Sequence, residues 1–484
     1  METIHLKTVD PISQELLRAA AQRGVSINWE RYEKLQPQDG FLRVGLSCPY
    51  GCLQGPCRID PFGRGPDRGL CGLDRDGMVA ALFLRIVLNG VLETAGRTSA
   101  KIGGGDASLA RDAVERLGGS PISEAEVYRS AAMLVRPSTS AERMIRQALR
   151  LGILAARLVA DAPKREKDLP FRVGYGLLGK NQPVIGIVED VPAALAASLI
   201  KLASDTDARA AQVVSLGDWI PLADGFVPCA CSSGEAELLL SSGRISLLVA
   251  GAKTDPGLMD VCKAVNVPAV FNEDSLEASE LLRLAADHHD RSEYKAFMPD
   301  ASLIGEGLSV SSSRTLADRI KGIENGKFAI IGGADTLQLP LGWMPVEIAK
   351  AVGGAGRTVG TWGDAALWMA KDALSSGAQS ASIVVLDPQK GPVEAVTALD
   401  AAGKLGDLSG ILFTGLKGPA DLAIALGLAA AGTRVCTALP LPAWGSTAVC
   451  GLIADALSSC GGSLTHFDHP AQAEEILNWF GVNE

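Results

Sequence analysis

From about residue 165 onward the sequence alternates short β-rich apolar runs with helical stretches, and that rhythm restricts the fold more than any other feature. VIGIVED precedes PAALAASLIKLA, ISLLVAG precedes PGLMDVCKAV, and VPAVF follows. After a break near 310–326 the pattern resumes with KFAIIGG, PVEIAKAVG, RTVGTWG, AALWMAKDAL, ASIVVLD, LSGILFTG, ADLAIALGLAAAG and TRVCTALP. Strand, loop and helix units of this length imply parallel sheets with right-handed crossovers. The expected fold class is α/β: a helical N-terminal domain followed by two Rossmann-like parallel-sheet domains. The expected boundaries are 1–164, 165–315 and 316–484. A chain of 484 residues has room for about three domains, and its 54 glycines suit close helix–sheet packing.

The first 164 residues read differently. ISQELLRAAAQRG sets apolar residues at helical spacing, so residues 11–35 are predicted as one or two amphipathic helices, with Gly24 a stop. A helix is predicted over 74–91 with Asp74 or Asp76 as its cap. Two more are predicted within 106–158, AERMIRQALRLGILAARLV being the clearer. Between them lies CPYGCLQGPCRIDPFGRGPDRGLCG, rich in Pro and Gly and therefore an irregular loop.

Ten cysteines are too sparse for a disulfide scaffold, yet Cys48, Cys52, Cys57 and Cys71 crowd into 24 positions. Such clustering points to metal ligation in a reducing compartment. Three and four residues separate the first three thiols, so one tight loop can wrap three corners of a cubane, and Cys71 can return across the fourth. Thiolates are soft ligands suited to iron–sulfur clusters. Gly51, Gly55 and Gly72 allow backbone N–H groups to approach cluster sulfurs. The segment 45–75 is therefore expected to hold one 4Fe-4S cluster. Structural zinc is the alternative, since zinc also uses four closely spaced cysteines, and four unconnected thiols are a third reading. Uneven spacing and a single wide gap favour iron–sulfur over paired zinc knuckles.

A net charge of −10 and no basic tract argue against a nucleic-acid partner. METIHLKTVD lacks a basic-then-apolar signal pattern, and the charge-free run 435–454 carries Pro440 and Pro442, so a buried strand, loop and helix is expected there rather than membrane insertion. The expected location is cytoplasmic. GGAGRTVG at 353–360 and GLKG at 415–418 are Gly-rich but give neither a clean GxGxxG opening a helix nor a GxxxxGK followed by Ser or Thr, so NAD or ATP binding is not expected.

CLQGPCRI at 52–59 and GLCG at 69–72 resemble the cubane-binding segment of the anaerobic nickel–iron carbon monoxide dehydrogenases, relatives of the hybrid-cluster (prismane) proteins. MVAALFLRIVLNGV with Gly96–Arg97, VCKAVNVPAV at 261–270 and PLPAWGS at 440–446 also resemble that family. The resemblance implies the same three-domain fold. It also implies two cysteines upstream that build a cluster shared across a homodimer. None precedes Cys48 here, so that bridging cluster is expected to be absent.

In the resembled family one histidine and several cysteines at Rossmann strand ends hold a nickel–iron–sulfur cluster. The matching positions fall on Asp190 in VIGIVEDVPAAL, Cys231 in ACSSGEAELL, Lys253 in AGAKTDPGLM, Gly333 in IIGGAD and Asp364 in GTWGDAAL. The stretch 365–435 contains no cysteine, and VLETAGR offers only Leu92 to Ala95 where the family has a catalytic histidine. Of the remaining thiols, Cys262, Cys450 and Cys460 sit in helical stretches and read as core residues. The histidines are His5, His288 and His289 in an expected loop, His466 and His469. Soft ligands are too few, so the nickel–iron–sulfur cluster is expected to be absent. Asp190, Cys231, Lys253 and Asp364 remain candidates for a rebuilt site taking a hard metal or a polar ligand, or are solvated loop residues. Two functions follow: an electron-transfer or accessory subunit beside another iron–sulfur or flavin protein, in a larger complex, or an enzyme, either a carbon monoxide dehydrogenase or a related small-molecule redox enzyme with a rebuilt metal centre.

Overall fold

The computed structural model describes residues 7–35, 48–50, 52, 54–55, 57–60, 64–98, 108–118, 121–135, 140–188, 191–205, 211–272, 276–291, 297–323, 327–376, 383–467, 470 and 472–482. Gly51, Asp190, His5 and His469 lie outside the described residues. A helical N-terminal region leads into two Rossmann-like sheets, as the alternating rhythm predicts. In chain order the strands are β1 (Leu169–Pro170), β2 (Val184–Ile187), β3 (Gln212–Leu216), β4 (Pro221–Leu222), β5 (Gly225–Phe226), β6 (Cys229–Cys231), β7 (Leu247–Ala250) and β8 (Ala269–Phe271). Then come β9 (Ser309–Val310), β10 (Phe328–Gly332), β11 (Thr358–Thr361), β12 (Ile383–Val385), β13 (Leu408–Phe413), β14 (Arg434–Thr437) and β15 (Ser463–His466).

The first sheet has the order β6-β3-β2-β7-β8 and is parallel throughout. The second has the order β1-β9-β12-β11-β10-β13-β14-β15, parallel except for its edge pair β1–β9. Both ends of the segment 165–315 therefore cross into the second sheet. VIGI and FAIIG are buried at every position, as expected for strands covered on both faces. Strand order reverses beside β2 in one sheet and beside β10 in the other. Such reversals open a crevice beyond the carboxyl ends of the strands.

The helical region differs from its predicted outline in several places. The helix capped by Asp74, whose Oδ1 accepts from Gly77 N–H at 2.9 Å, runs over Arg75–Thr98 rather than ending at Val91. Its continuation, LETAGRT, is mostly polar and mostly exposed or half-buried, and is held by an ion pair between Glu93 and Arg97 and by Ala420 N–H donating to Glu93 Oε2 at 3.0 Å. Three helices, not two, occupy the following segment: Arg111–Leu117, Ala125–Val135 and Ala141–Ala160. His288 and His289 lie in the helix Ala278–Arg291 instead of a loop, because Leu281, Ala285 and Ala286 bury one face of it. The run 435–454 spans β14, a 3-10 turn at Pro442–Gly445 and the start of the helix Thr447–Ser459.

The helical region and the second sheet share one core. Helices Arg75–Thr98, Ala141–Ala160 and Pro419–Ala430 pack together, and glycines permit the close approach. A Cβ on Gly90 would stand 2.2 Å from Pro419 O, and one on Gly427 2.2 Å from Gly152 O. Arg75–Thr98 is long and apolar enough to cross a bilayer, but 61% of its most apolar window is buried within the protein. Pro11–Gln22 and the segment after it go elsewhere, placing Leu16, Val25, Ile27 and Trp29 in the core of the first sheet.

Candidate metal centre and strand-end cavity

The cysteine loop has no regular secondary structure between Cys48 and Leu73 among its described residues. It is held by backbone bonds: Cys48 N–H to Cys57 O at 2.9 Å, Gly69 N–H to Leu73 O at 2.8 Å, and Gly72 N–H to Gly69 O at 2.8 Å. Gly72 adopts φ +85°, the left-handed conformation that favours glycine. Two amides point at sulfur. Gln54 N–H reaches Cys52 Sγ at 3.4 Å and Leu70 N–H reaches Cys57 Sγ at 3.3 Å. Cys52 and Cys71 are exposed, while Cys48 and Cys57 are half-buried. Burial raises the pKa of the Cys48 thiol, and the nearby Cys57, Cys71 and Cys52 thiols raise it further. Tyr50, buried beneath the loop, is pushed up to about 12 by burial and by Cys48 and Cys71. The four sulfurs thus share one electrostatic neighbourhood, where negative charge needs a cationic partner. Among the described residues no three His, Cys, Asp or Glu side chains stand ready-arranged around a metal ion.

Beyond the strand ends of both sheets lies a cavity of about 330 Å³. Gly333 after β10, Gly363 and Asp364 after β11, Lys417 after β13, and Asp218 and Trp219 after β3 all line it. Gly333 has φ +115°, and a Cβ there would stand 2.6 Å from Gly415 O. A side chain at this position is excluded by the backbone itself. Asp364 opens the helix Asp364–Ser376 and is 5% exposed. Its Oδ1 accepts from Ser233 N–H at 3.0 Å, and its Oδ2 accepts from Asp335 N–H at 3.0 Å and from the Ser233 hydroxyl. Burial, with Asp364 nearby, pushes the Asp335 carboxyl well up, while Trp368 Nε1 donates to its Oδ1 at 2.9 Å.

Cys231 is fully buried behind this floor. Burial, Cys229 and Glu235 raise its pKa well above the ordinary thiol range, and burial pushes Cys229 up to about 12. The fold therefore gathers Gly333 and Asp364 at the cavity with Cys231 behind them. Lys253 stands apart on the exposed loop after β7, and Asp190 falls in the segment outside the described residues.

No family model matches the sequence. A carbon monoxide dehydrogenase of Methanosarcina mazei is 44% identical over 89 residues, covering 18% of this chain and 14% of the relative. One from Rhodospirillum rubrum is 49% identical over 81 residues, covering 17% and 12%. The sequence match thus spans only about one-seventh of these relatives' length. In structure, carbon monoxide dehydrogenase IV of Carboxydothermus hydrogenoformans superposes with a TM-score of 0.78 at 18% identity, over 98% of both chains. A chain from a structure of acetyl-CoA synthase/carbon monoxide dehydrogenase gives 0.73 at 14% identity, over 99% of this chain and 94% of that one. The chain thus shares the fold of these carbon monoxide dehydrogenases over nearly its whole length and is similar to them in sequence over a stretch of 80 to 90 residues.

Within this scaffold, a second charged group lies under the cavity floor that sequence reasoning missed. Lys371 Nζ stands 2.7 Å from Asp10 Oδ2 and 2.9 and 3.0 Å from the two oxygens of Glu235. The Lys371 ammonium lies over the Trp368 and Tyr175 rings at 4.2 and 4.9 Å. Burial opposes its charge, but Glu235 and Asp10 outweigh burial and raise its pKa. The Ser13 hydroxyl donates to Glu235 at 2.6 Å and contacts Tyr175 Oη at 2.8 Å. Only Glu235 had a readable signal, the S-x-x-E capping box closed with Ser232. The others come from three distant parts of the chain.

Proposed function

We propose that this chain is an iron–sulfur electron-transfer or accessory subunit built on a carbon monoxide dehydrogenase-like scaffold. Cys48, Cys52, Cys57 and Cys71 would hold one 4Fe-4S cluster, and no standard nickel–iron–sulfur centre accompanies it. The observation that carries this reading is the loop itself: four thiols in one electrostatic neighbourhood, with amides of Gln54 and Leu70 aimed at two sulfurs. When bound, such a cluster stores and releases one electron. The chain's own part is to supply four thiolates, to point N–H groups at them and so favour the negatively charged state, and to seat the loop on buried Tyr50. A reducing, cytoplasmic compartment suits those thiolates.

At the strand ends, Gly333 offers no side chain, Asp364 is committed to Ser233 and Asp335, and Lys253 stands elsewhere. That arrangement supports the absence of a thiolate-rich nickel site. One cluster alone has nowhere within the chain to pass its electron, so the partner is a second iron–sulfur or flavin protein, within a larger complex. Its docking face is the exposed rim of the cysteine loop, with Arg58, Arg64 and Arg68.

A second reading, a small-molecule redox enzyme with a rebuilt centre, is favoured by one observation. The cavity of about 330 Å³ beyond the strand ends has room for a small substrate beside Asp364 and Trp219. Metal analysis of anaerobically purified protein separates the readings. About four irons per chain without nickel, and a paramagnetic signal on reduction, are expected; stoichiometric zinc would sink the cluster assignment. Nickel reconstitution followed by a viologen-linked carbon monoxide assay should give no turnover, and robust nickel-dependent turnover would favour the enzyme.

A further inference from the structure

Arg58, Arg64 and Arg68 all stand exposed on the cysteine loop, yet their settings differ. Arg68 opens a hairpin turn. Its backbone pairs antiparallel with that of Asp74, Gly69 N–H donates to Leu73 O at 2.8 Å, and Gly72 N–H donates to Gly69 O at 2.8 Å. Cys71 sits at the tip of this turn beside Leu70, whose N–H points at Cys57 Sγ from 3.3 Å. The Arg68 side chain folds back across the turn, and its Nη1 donates to Gly72 O at 3.3 Å. That bond holds a guanidinium next to the residue that follows Cys71. No carboxylate among the described residues pairs with it. The Arg58 and Arg64 side chains make no hydrogen bond or ion pair among the described residues, so their charges sit in solvent.

Four thiolates make a 4Fe-4S cluster anionic, and reduction adds one more negative charge. Net charge and solvent exposure are among the things that set the potential of such a cluster. A cation held close to one ligand stabilises the added charge, whereas one that swings through water is screened by solvent and salt. Cys71 is exposed, so a fixed charge beside it acts where the loop itself supplies little else. Resting on the cluster assignment proposed above, we infer that Arg68 tunes the reduction potential of that cluster, favouring the reduced state, and that Arg58 and Arg64 do so far less. The step concerned is a one-electron transfer. An electron leaves a low-potential reductant, a reduced viologen in the test below, and enters the cluster, and no bond forms or breaks.

Viologen-mediated redox titration of the anaerobically purified full chain, with iron counted per chain, tests this role. Arg68→Gln should make reduction about threefold to tenfold less favourable, a shift of about 30–60 mV toward negative potential at 59 mV per tenfold for one electron. Iron content and melting temperature should match wild type. Arg68→Lys keeps the charge and should recover much of the shift. Arg58→Gln and Arg64→Gln remove the same charge from the same loop and should each move the potential less than about half as far. Arg68→Gln at full iron with an unmoved potential, or equal shifts from all three arginines, would overturn the assignment. So would loss of iron from Arg68→Gln but not from Arg58→Gln, which would make Arg68 a prop for the loop alone. A wild-type chain without iron would instead refute the cluster reading, and this inference with it.

Discussion

The cysteine loop and the strand-end cavity are built on opposite plans. All four thiols of the loop come from one stretch of 24 residues, half of them exposed and held by a few backbone bonds. The cavity is assembled from residues that follow β3, β10, β11 and β13, on a floor whose charges are buried and paired. A site of the first kind depends on what it binds, because little apolar packing stabilises it. A site of the second kind depends on the fold, and its polar groups are satisfied without any ligand. The loop is thus the place for the proposed cluster, while the floor beneath the cavity does architectural work.

The sharpest way to break that contrast is Cys57→Ser. It should remove most of the iron and the reduced-state signal, and loosen the loop ahead of the helix Arg75–Thr98, since metal binding and local folding are linked. Iron content unchanged from wild type would refute the loop assignment. On the other side, Lys371→Met should leave Glu235 and Asp10 buried without their cation. A loss of about 3–5 kcal/mol is expected for breaking such a group, read from the denaturant midpoint, with iron content per folded chain unaltered. A smaller step follows from Gly427→Ala, whose added carbon meets Gly152 O. Overpacking of this kind costs about 1–3 kcal/mol and would show that the helical region and the second sheet unfold together.

Acid sharpens the comparison further. Burial raises the pKa of Glu126, but hydrogen bonds from Arg150 and Gln147 outweigh it and hold the carboxyl below its ordinary 4.5. A depressed carboxyl contributes stability above the unfolded-state pKa and loses it as pH falls through the folded one. Stability of the helical region should therefore fall below about pH 4.5, and Glu126→Gln should flatten that limb of the profile. The smallest effect on stability is expected from Arg68→Glu on the exposed rim. Its melting temperature should stay within scatter, while co-purification with a redox partner from native cells should be lost.

Much of the architecture was legible before any coordinates. Apolar strand runs such as VIGI and FAIIG announce buried parallel strands because both faces must be apolar, and the thiols of the loop announce themselves because their partners are sequence neighbours. Short strands such as Cys229–Cys231, only three residues long, carry too little pattern to be read. The helix Arg75–Thr98 runs past the apolar pattern that ends at Val91, because its last turns are mostly polar and mostly exposed or half-buried, and are fixed by contacts such as Ala420 N–H donating to Glu93 Oε2 at 3.0 Å, from far away in the chain.

The sequence by itself determined the class of fold and the four thiols available to a cluster, since both rest on local periodicity and local spacing. Only the tertiary structure decided that Gly333 has no room for a side chain, that Asp364 is bound to Ser233 and Asp335, and that Lys371 neutralises Asp10 and Glu235, which lie far apart in the chain. The physical reason is range. Backbone propensity and loop closure act over a few residues, whereas steric exclusion and buried charge pairing depend on which distant strand ends the sheets bring within a few ångströms of each other.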